Sequence, residues 1–467
     1  MPRHTKSVNP LSDAITRVAR EVAPTAQEIF IATEYADSII SRLKYKLTGD
    51  VEIITAGSVA RGTQIRGSSD IDIFLRFPKD MDERTMEHKA VEIAKSIVDK
   101  KNESFVINYA EHPYVKIVEK RFGMSADIVP SFKIKDASEM GSAVDRTPLH
   151  NIFINSNLSR HQKDEVRAFK YLLKQHSIYG AEARISGFSG YLCELLVYSY
   201  GSLEKLLRSF SALSLPVLIK PLNRSIIESG KEVEGNQKFF GRRFLVIDPT
   251  DPKRNVAAAV SEESLARLVI LSRALLSSSR PYSLFYPKRH TEIRLSAAIG
   301  KFERRYHIES FSVVVPTDHI SEDTIWPQVR KLGGSLELAL SKNISKPLIA
   351  LHALHNNTAI ITFFMNKMEV GARVVNGPSV FIRDGSERFC GKHKRSGLLF
   401  VSGDSVFSLE NADFSSAEAV LKYVLKDPDF NFPSHILKSR AKVYRKLPEV
   451  YAKPVWMEMM RLSLDLL

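Results

Sequence analysis

A multidomain α+β protein is the fold class this chain predicts: a compact mixed-sheet head, a helical middle and a second α+β region. Three observations predict it. The chain has 467 residues with 44 % apolar content, enough for about two to four domains with real cores. Its first 150 residues alternate helical and strand-like patterns, whereas apolar positions from His161 onward recur at helical spacing. Strand-like runs return after Ser279-Arg280-Pro281, which reads as a boundary. The expected division is therefore 1–150, 151–278 and 279–467.

The elements follow in order. Asp13 to Leu47 reads as helix, with Ile15, Val18, Ala19, Ile29, Ala32, Ile39 and Leu43 at spacings of three and four, broken or restarted at Pro24. Strands are expected at Val51–Ala56 and Asp70–Phe77, then a helix over Glu83–Val98. Short strands are expected at Phe105–Glu111, Pro113–Lys120 and Ser125–Val129. In the middle, Val166, Phe169, Leu172 and Leu173 share a helical face, and Tyr191–Tyr200, Leu203–Phe210 and Ser261–Ser277 continue the helical pattern. In the last third, Ser310–Val315, Leu348–Leu351, Ala359–Phe364 and Leu398–Val401 read as strands. Trp326–Leu338, Ala417–Leu425, Ser434–Leu447 and Pro454–Leu467 read as helices.

Chemistry concentrates in the head. A strand runs into the turn Gly57-Ser58-Val59-Ala60-Arg61-Gly62-Thr63, and a second strand opens with Ser69-Asp70-Ile71-Asp72-Ile73-Phe74. Alternation puts Asp70 and Asp72 on one face, about 6.6 Å apart along the strand, with Ile71, Ile73 and Leu75 on the other. Two adjacent carboxylates repel, and a divalent cation with oxygen ligands removes that cost. The Gly-Ser turn offers N–H groups and a hydroxyl to an anion, and Arg61 adds charge. Metal beside phosphate is the layout of nucleotidyl transfer, which through two metals needs a third carboxylate. Asp127, in Ser125-Ala126-Asp127-Ile128-Val129-Pro130, is the candidate, on a strand able to pair beside Asp70–Asp72.

Lys and Arg number 67 against 53 Asp and Glu, a net charge of +14, which suits a polyanionic partner or simply a basic surface. The two cysteines, Cys193 and Cys390, offer neither a disulfide framework nor zinc spacing, so a reducing, cytoplasmic setting is expected. Met1 to Ser12 is polar without an apolar targeting core, and no long apolar run suggests a membrane span. The basic run Lys392-His393-Lys394-Arg395 reads either as a solubilising loop or as an RNA phosphate contact.

These motifs resemble the DNA polymerase β-like nucleotidyltransferase superfamily and, more narrowly, the archaeal (class I) CCA-adding enzymes. The narrower resemblance rests on Tyr109-Ala110-Glu111-His112-Pro113-Tyr114, Asp127-Ile128-Val129-Pro130, Asp145-Arg146-Thr147-Pro148-Leu149-His150, Gly187 to Glu194 and Asp248-Pro249-Thr250-Asp251-Pro252-Lys253-Arg254-Asn255-Val256-Ala257-Ala258. It implies a polymerase β-like head, a central domain completing the nucleotide pocket and a C-terminal RNA-binding body. It implies addition of C, C and A to tRNA from CTP and ATP, without a nucleic-acid template.

Residue by residue, the resemblance makes Asp70, Asp72 and Asp127 the metal ligands, for two Mg²⁺ ions. Ser58, Arg61, Lys170 and Tyr179 become triphosphate contacts, Thr147 and His150 neighbours of the nucleoside, and Arg254 the base reader. Glu111 and His112 lie at the RNA 3′ end. It further implies binding of the tRNA acceptor stem and T arm, no membrane, and a homodimer. Most of these positions admit a plainer role. His150 suits a satisfied core histidine, Tyr179 a packed aromatic, Lys170 a solvated face, Arg254 a helix cap or a partner of Asp251, and Glu111 with His112 a hairpin closure. A poly(A) polymerase or other tailing enzyme would share the head. An inactive RNA-binding scaffold should have lost a carboxylate, and a small-molecule nucleotidyltransferase should be shorter and less basic.

Overall fold

The computed structural model describes residues 9–68, 70–109, 111–287, 295–367, 371–395 and 397–462, which leaves Ser69 and Ala110 of the quoted motifs outside the described residues. The chain forms two compact units, the first ending at Pro287.

The first unit opens with α1 (Pro10–Glu21) and α2 (Ala26–Lys46). Asn9 caps α1 with Pro10 in its first turn, and a Thr25–Glu28 capping box restarts the helix after Pro24. Next come β1 (Glu52–Ala56), the one-turn α3 (Gly57–Arg61), β2 (Asp70–Phe77), α4 (Glu83–Ser96), β3 (Glu103–Tyr109), β4 (Pro113–Glu119) and β5 (Ser125–Phe132). They build a five-stranded mixed sheet in the order β1-β2-β5-β4-β3, with β2 and β5 parallel and the other neighbours antiparallel. Ile71, Ile73, Leu75 and Ile128 are buried against α2 and α4, with Ile39, Leu43, Met86 and Ala90. That burial fixes the register, because a slip of one residue would send the carboxylates into the core.

The chain continues through α5 (Arg146–Asn157), α6 (Arg160–Gln175), α7 (Gly190–Tyr200) and α8 (Leu203–Ser211). It then forms β6 (Val217–Lys220), β7 (Ser225–Ile227), α9 (Lys231–Phe240), β8 (Phe244–Asp248), β9 (Asp251–Asn255), α10 (Glu262–Ser277) and α11 (Tyr282–Phe285). Helices α1, α6, α7, α8 and α10 share one core, in which α7 is buried nearly all round. The middle is not purely helical, as the sequence had suggested: β7-β6-β8-β9 form a four-stranded sheet. Its strands have three to five residues each, too few for a periodic signal to emerge.

The second unit comprises α12 (Leu295–Tyr306), β10 (Ile308–Pro316), α13 (Glu322–Asn343), β11 (Ile349–Leu354), β12 (Thr358–Asn366), β13 (Ala372–Ser379) and α14 (Arg383–His393). It continues with β14 (Gly397–Ser402), β15 (Ser405–Asn411), α15 (Ala417–Lys426), β16 (Lys442–Tyr444) and α16 (Glu449–Leu462). A four-stranded sheet, β11-β12-β10-β16, is covered on both faces. Phe311, Val313 and Phe363 face α13 and α15, while Val314, Ile360 and Phe364 face α12 and α16. A separate three-stranded sheet, β13-β15-β14, stands beside α14.

Ser434–Leu447 is not the helix expected from its sequence. It holds a single 3₁₀ turn, Lys438–Arg440, and then β16, whose Val443 pairs with Val313 at the sheet edge. Between Pro433 and Pro448 a helix would be short, and the exposed edge of β10 offers a better use for these backbone groups. The last helix begins at Glu449 and contains Pro454, and residues 463–467 lie outside the described residues.

Candidate functional site

Pairing across the head sheet puts Ala56, Asp72, Asp127 and Lys116 in one row. Asp72 faces Ala56 on β1 and Asp127 on β5, and Asp127 faces Lys116 on β4. Asp70 is two rows away on the same face, opposite Ser125. The three expected carboxylates thus share one end of one sheet face. Lys116 Nζ lies 3.2 Å from Asp70 Oδ1 and 3.1 Å from Asp127 Oδ1. The Ser125 hydroxyl donates to Asp70.

The environments of the three acids differ. Burial, then the neighbouring Asp127 charge, pushes the Asp72 carboxyl up to about 6, although Arg61 opposes the shift. Burial also raises Asp127, against the pull of Lys116. On Asp70 the effect of burial is outweighed by the Ser125 hydroxyl and Lys116, so its carboxyl is held low. Asp127 Oδ1 is buried and accepts no aligned hydrogen bond. Two raised carboxyls, an Asp127 oxygen met only by the Lys116 ammonium without an aligned hydrogen bond, and a ligand set of oxygens fit a hard divalent cation.

The preceding turn has to carry glycine. Gly57 has φ +73°, and a Cβ there would lie 1.7 Å from Asp72 Oδ2. The turn therefore presses its bare backbone onto the Asp72 carboxylate, with Ser58 next in line. Arg167 ties down the far end of the turn, donating to the carbonyl of Gly62 and, at 3.1 Å, to that of Gln64.

Helix α7 supplies a second cluster. Glu194, with 0 % exposure, lies 2.9 Å from Arg61 Nε and 3.0 Å from Lys170 Nζ, and accepts the Thr63 hydroxyl. Lys170 is 1 % exposed and also donates to Thr63 Oγ1 at 3.0 Å, so it is not on a solvated face. Gly190 leaves room beside it: a Cβ there would meet the Tyr179 hydroxyl at 3.1 Å and Lys170 Nζ at 3.5 Å. Arg61, Lys170 and Tyr179 are thus brought together at the start of α7.

A third cluster centres on Asp248, at the end of β8. Its Oδ2 lies 2.8 Å from both His150 Nε2 and Arg254 NH1. Its Oδ1 accepts the Thr250 amide and hydroxyl at 2.9 and 2.8 Å and the Tyr191 hydroxyl at 3.2 Å. His150 stacks on Tyr191 with ring centroids 3.9 Å apart. Burial lowers the His150 pKa more than its hydrogen bond and charge interaction with Asp248 raise it. Arg254 pairs with Asp248 and not Asp251, which pairs with Arg146, and its side chain keeps 33 % exposure. Thr147 sits one turn before His150 on α5.

Glu111 and His112 stand apart, at the β3–β4 turn. Glu111 is exposed, whereas His112 is buried against α4 with Nδ1 2.9 Å from Glu87 and 3.4 Å from Glu83. Among the described residues these three are the group whose metal-ligand atoms all lie within 4.8 Å of one another. Asp70, Asp72 and Asp127 are not part of that group, and Lys116 lies between Asp70 and Asp127. Sequence reasoning missed Glu194, Asp248 and Lys116 as site residues. Glu194 had a readable signal, as the one acid in the apolar run Gly190–Tyr200, where an unpaired charge is costly.

Residues 36–150 match the nucleotidyltransferase domain family, 164–286 the second domain of tRNA nucleotidyltransferases, and 308–445 the C-terminal domain of CCA-adding enzymes. The CCA-adding enzyme of Methanocaldococcus jannaschii is 30 % identical over 442 residues, 93 % of this chain and 95 % of that one. That of Archaeoglobus fulgidus is 33 % identical over 339 residues, 72 % of each. A solved cytoplasmic RNA terminal U-transferase is 16 % identical with a TM-score of 0.46, covering 59 % of this chain and 98 % of that one.

Proposed function

This chain belongs to the CCA-adding enzymes, and from that premise we propose that it extends tRNA 3′ ends by C, C and A from CTP and ATP without a template. The observation that carries the chemistry is the single row Asp72–Asp127–Lys116, with Asp70 beside it, under a turn bare enough to touch Asp72. The tRNA 3′-oxygen attacks the α-phosphate. The new O–P bond forms as the bond to pyrophosphate breaks, and the hydroxyl proton is lost. Asp70, Asp72 and Asp127 hold Mg²⁺, two ions in this proposal, whose chemistry is to make the hydroxyl more acidic and neutralise the departing charge.

The chain's own residues do the rest. Ser58, Arg61, Lys170 and Tyr179 bind the triphosphate, and Thr147 and His150 flank the nucleoside. Arg254, its NH1 engaged by Asp248, presents the remaining donors of its fork to the base edge. Glu111 meets the RNA 3′ end on a hairpin that His112 anchors to α4. We assign 1–150 to the catalytic head, 151–278 to the central domain and 279–467 to the tRNA-binding body, which takes the acceptor stem and T arm through shape and phosphate contacts. The homodimer and the cytoplasmic setting belong to the same proposal. No helix among the described residues is long and apolar enough to cross a membrane.

The test is extension at single-nucleotide resolution, with Mg²⁺ and a tRNA ending at the discriminator base. Growth by two with CTP alone, by three with both nucleotides, and then a stop supports the reading. A long A ladder with ATP alone would replace it with a tailing enzyme.

A further inference from the structure

We infer that Glu194 is a positioning residue for the nucleotide triphosphate, holding Arg61 of the head and Lys170 of the central helices in one geometry. The inference rests on the triphosphate roles given to those two cations above. The carboxylate is fully buried in a helix otherwise apolar, where a charge survives only with partners. Its partners are those two cations and the Thr63 hydroxyl, which links the head turn to the pair.

The donor count shows what Glu194 does. Lys170 has three ammonium protons and three acceptors: Glu194 Oε1 and Thr63 Oγ1, each at 3.0 Å, and Thr63 O at 3.3 Å. Its position is therefore fully determined, and it acts on a phosphate as a fixed charge. Arg61 meets Glu194 Oε2 through Nε as an ion pair at 2.9 Å without an aligned hydrogen bond, so Glu194 places its charge while the rest of the guanidinium fork serves a further acceptor. Two cations this close repel, and Glu194 cancels one charge while retaining a net positive pocket. Because CTP and ATP carry the same triphosphate, Glu194 serves both equally and takes no part in choosing the base.

The experiment measures KM and kcat for CTP on tRNA lacking CCA, and for ATP on tRNA ending in CC. It compares the unaltered protein with Glu194→Gln, Lys170→Met and the double variant, each checked for folding by circular dichroism. Glu194→Gln should raise both KM values by about tenfold or more, the worth of one charge-assisted hydrogen bond, with a smaller fall in kcat. The double variant should lose less than the two single losses combined, because part of the carboxylate's effect acts through the ammonium and the remainder through Arg61. A purely structural role would reduce the active fraction, and so kcat, and leave KM alone.

Should Glu194→Gln fail to fold, Thr63→Val removes the hydroxyl between the two groups without unpairing a charge. It should raise both KM values in the same direction. Unchanged KM in a folded variant, with active unaltered protein, overturns this inference alone. Absence of extension by the unaltered protein overturns the nucleotidyl-transfer reading and this inference with it.

Discussion

The carboxylates of β2 and β5 and the carboxylate of Asp248 lie in one unit of the protein under opposite conditions. Burial raises both Asp72 and Asp127, helped at Asp72 by the Asp127 charge and at Asp127 by the Asp70 charge, and Asp127 keeps an oxygen with no aligned donor. Asp248 is also buried, yet it accepts from Thr250, Tyr191, His150 and Arg254, which together hold its carboxyl far below the usual range despite that burial. Glu194 is likewise held low, by Lys170, Arg61 and the Thr63 hydroxyl, although its Oε2 accepts no aligned hydrogen bond. The lesson is that an acid left under-satisfied by the protein waits for something from outside, while an acid satisfied in full is there to aim its cations.

The comparison breaks most visibly in turnover. Asp72→Ala or Asp127→Asn should lower nucleotide addition by at least about a thousandfold, the several kcal/mol that charge stabilisation at the reacting phosphate supplies. Binding of tRNA, followed by filter retention, should stay within a few-fold. Near-normal turnover in either variant would remove these acids from the metal site. Gly57→Ala should come next, with a loss of about a hundredfold or more, because the new methyl occupies the place of Asp72 Oδ2 and the backbone at φ +73° is strained as well. An active Gly57→Ala enzyme would mean that the turn does not hold that carboxylate.

Asp248→Asn should act mainly on selection. With the charge gone, Arg254 and His150 lose their common anchor. The preference for CTP and ATP over UTP and GTP in misincorporation assays should fall by about tenfold, with about 2 kcal/mol lost in stability. Unaltered discrimination would dissociate Asp248 from base reading.

Much of this was legible in the chain. The alternation in Asp70-Ile71-Asp72-Ile73 announced the face of the acids, and the apolar strand of Asp127 announced a place beside them, though not the parallel direction of the pairing. The apolar spacing from Ile15 to Leu43 and the break at Pro24 marked the first two helices, while their caps, Asn9 and Thr25, emerged only in the structure. What was illegible depends on contacts distant in sequence. Lys116 reaches the acids only because β4 pairs with β5, and Asp248 meets His150 across 98 residues. The small β6–β9 sheet and β16 are strands because neighbouring edges need partners, and no local pattern announces that. His112 reads as a surface turn residue but is buried, since α4 supplies Glu87.

A further expected effect is a dependence of stability on pH. Asp72 binds its proton more tightly folded than unfolded, so the metal-free fold loses stability as pH rises from about 4 through about 6. Asp72→Asn should remove that slope. In denaturant titrations with chelator present, its stability relative to the unaltered protein should rise by about 2–3 kcal/mol across that range.

The most direct measurement sets the two kinds of acid side by side: the melting temperatures of Asp72→Asn and Asp248→Asn at pH 7 in chelator, against the unaltered protein. Opposite signs are predicted, with Asp72→Asn melting higher because a repulsive buried charge is gone, and Asp248→Asn melting lower because a satisfied one is. A fall in both would contradict the account, since it would mean that the protein itself had already satisfied Asp72.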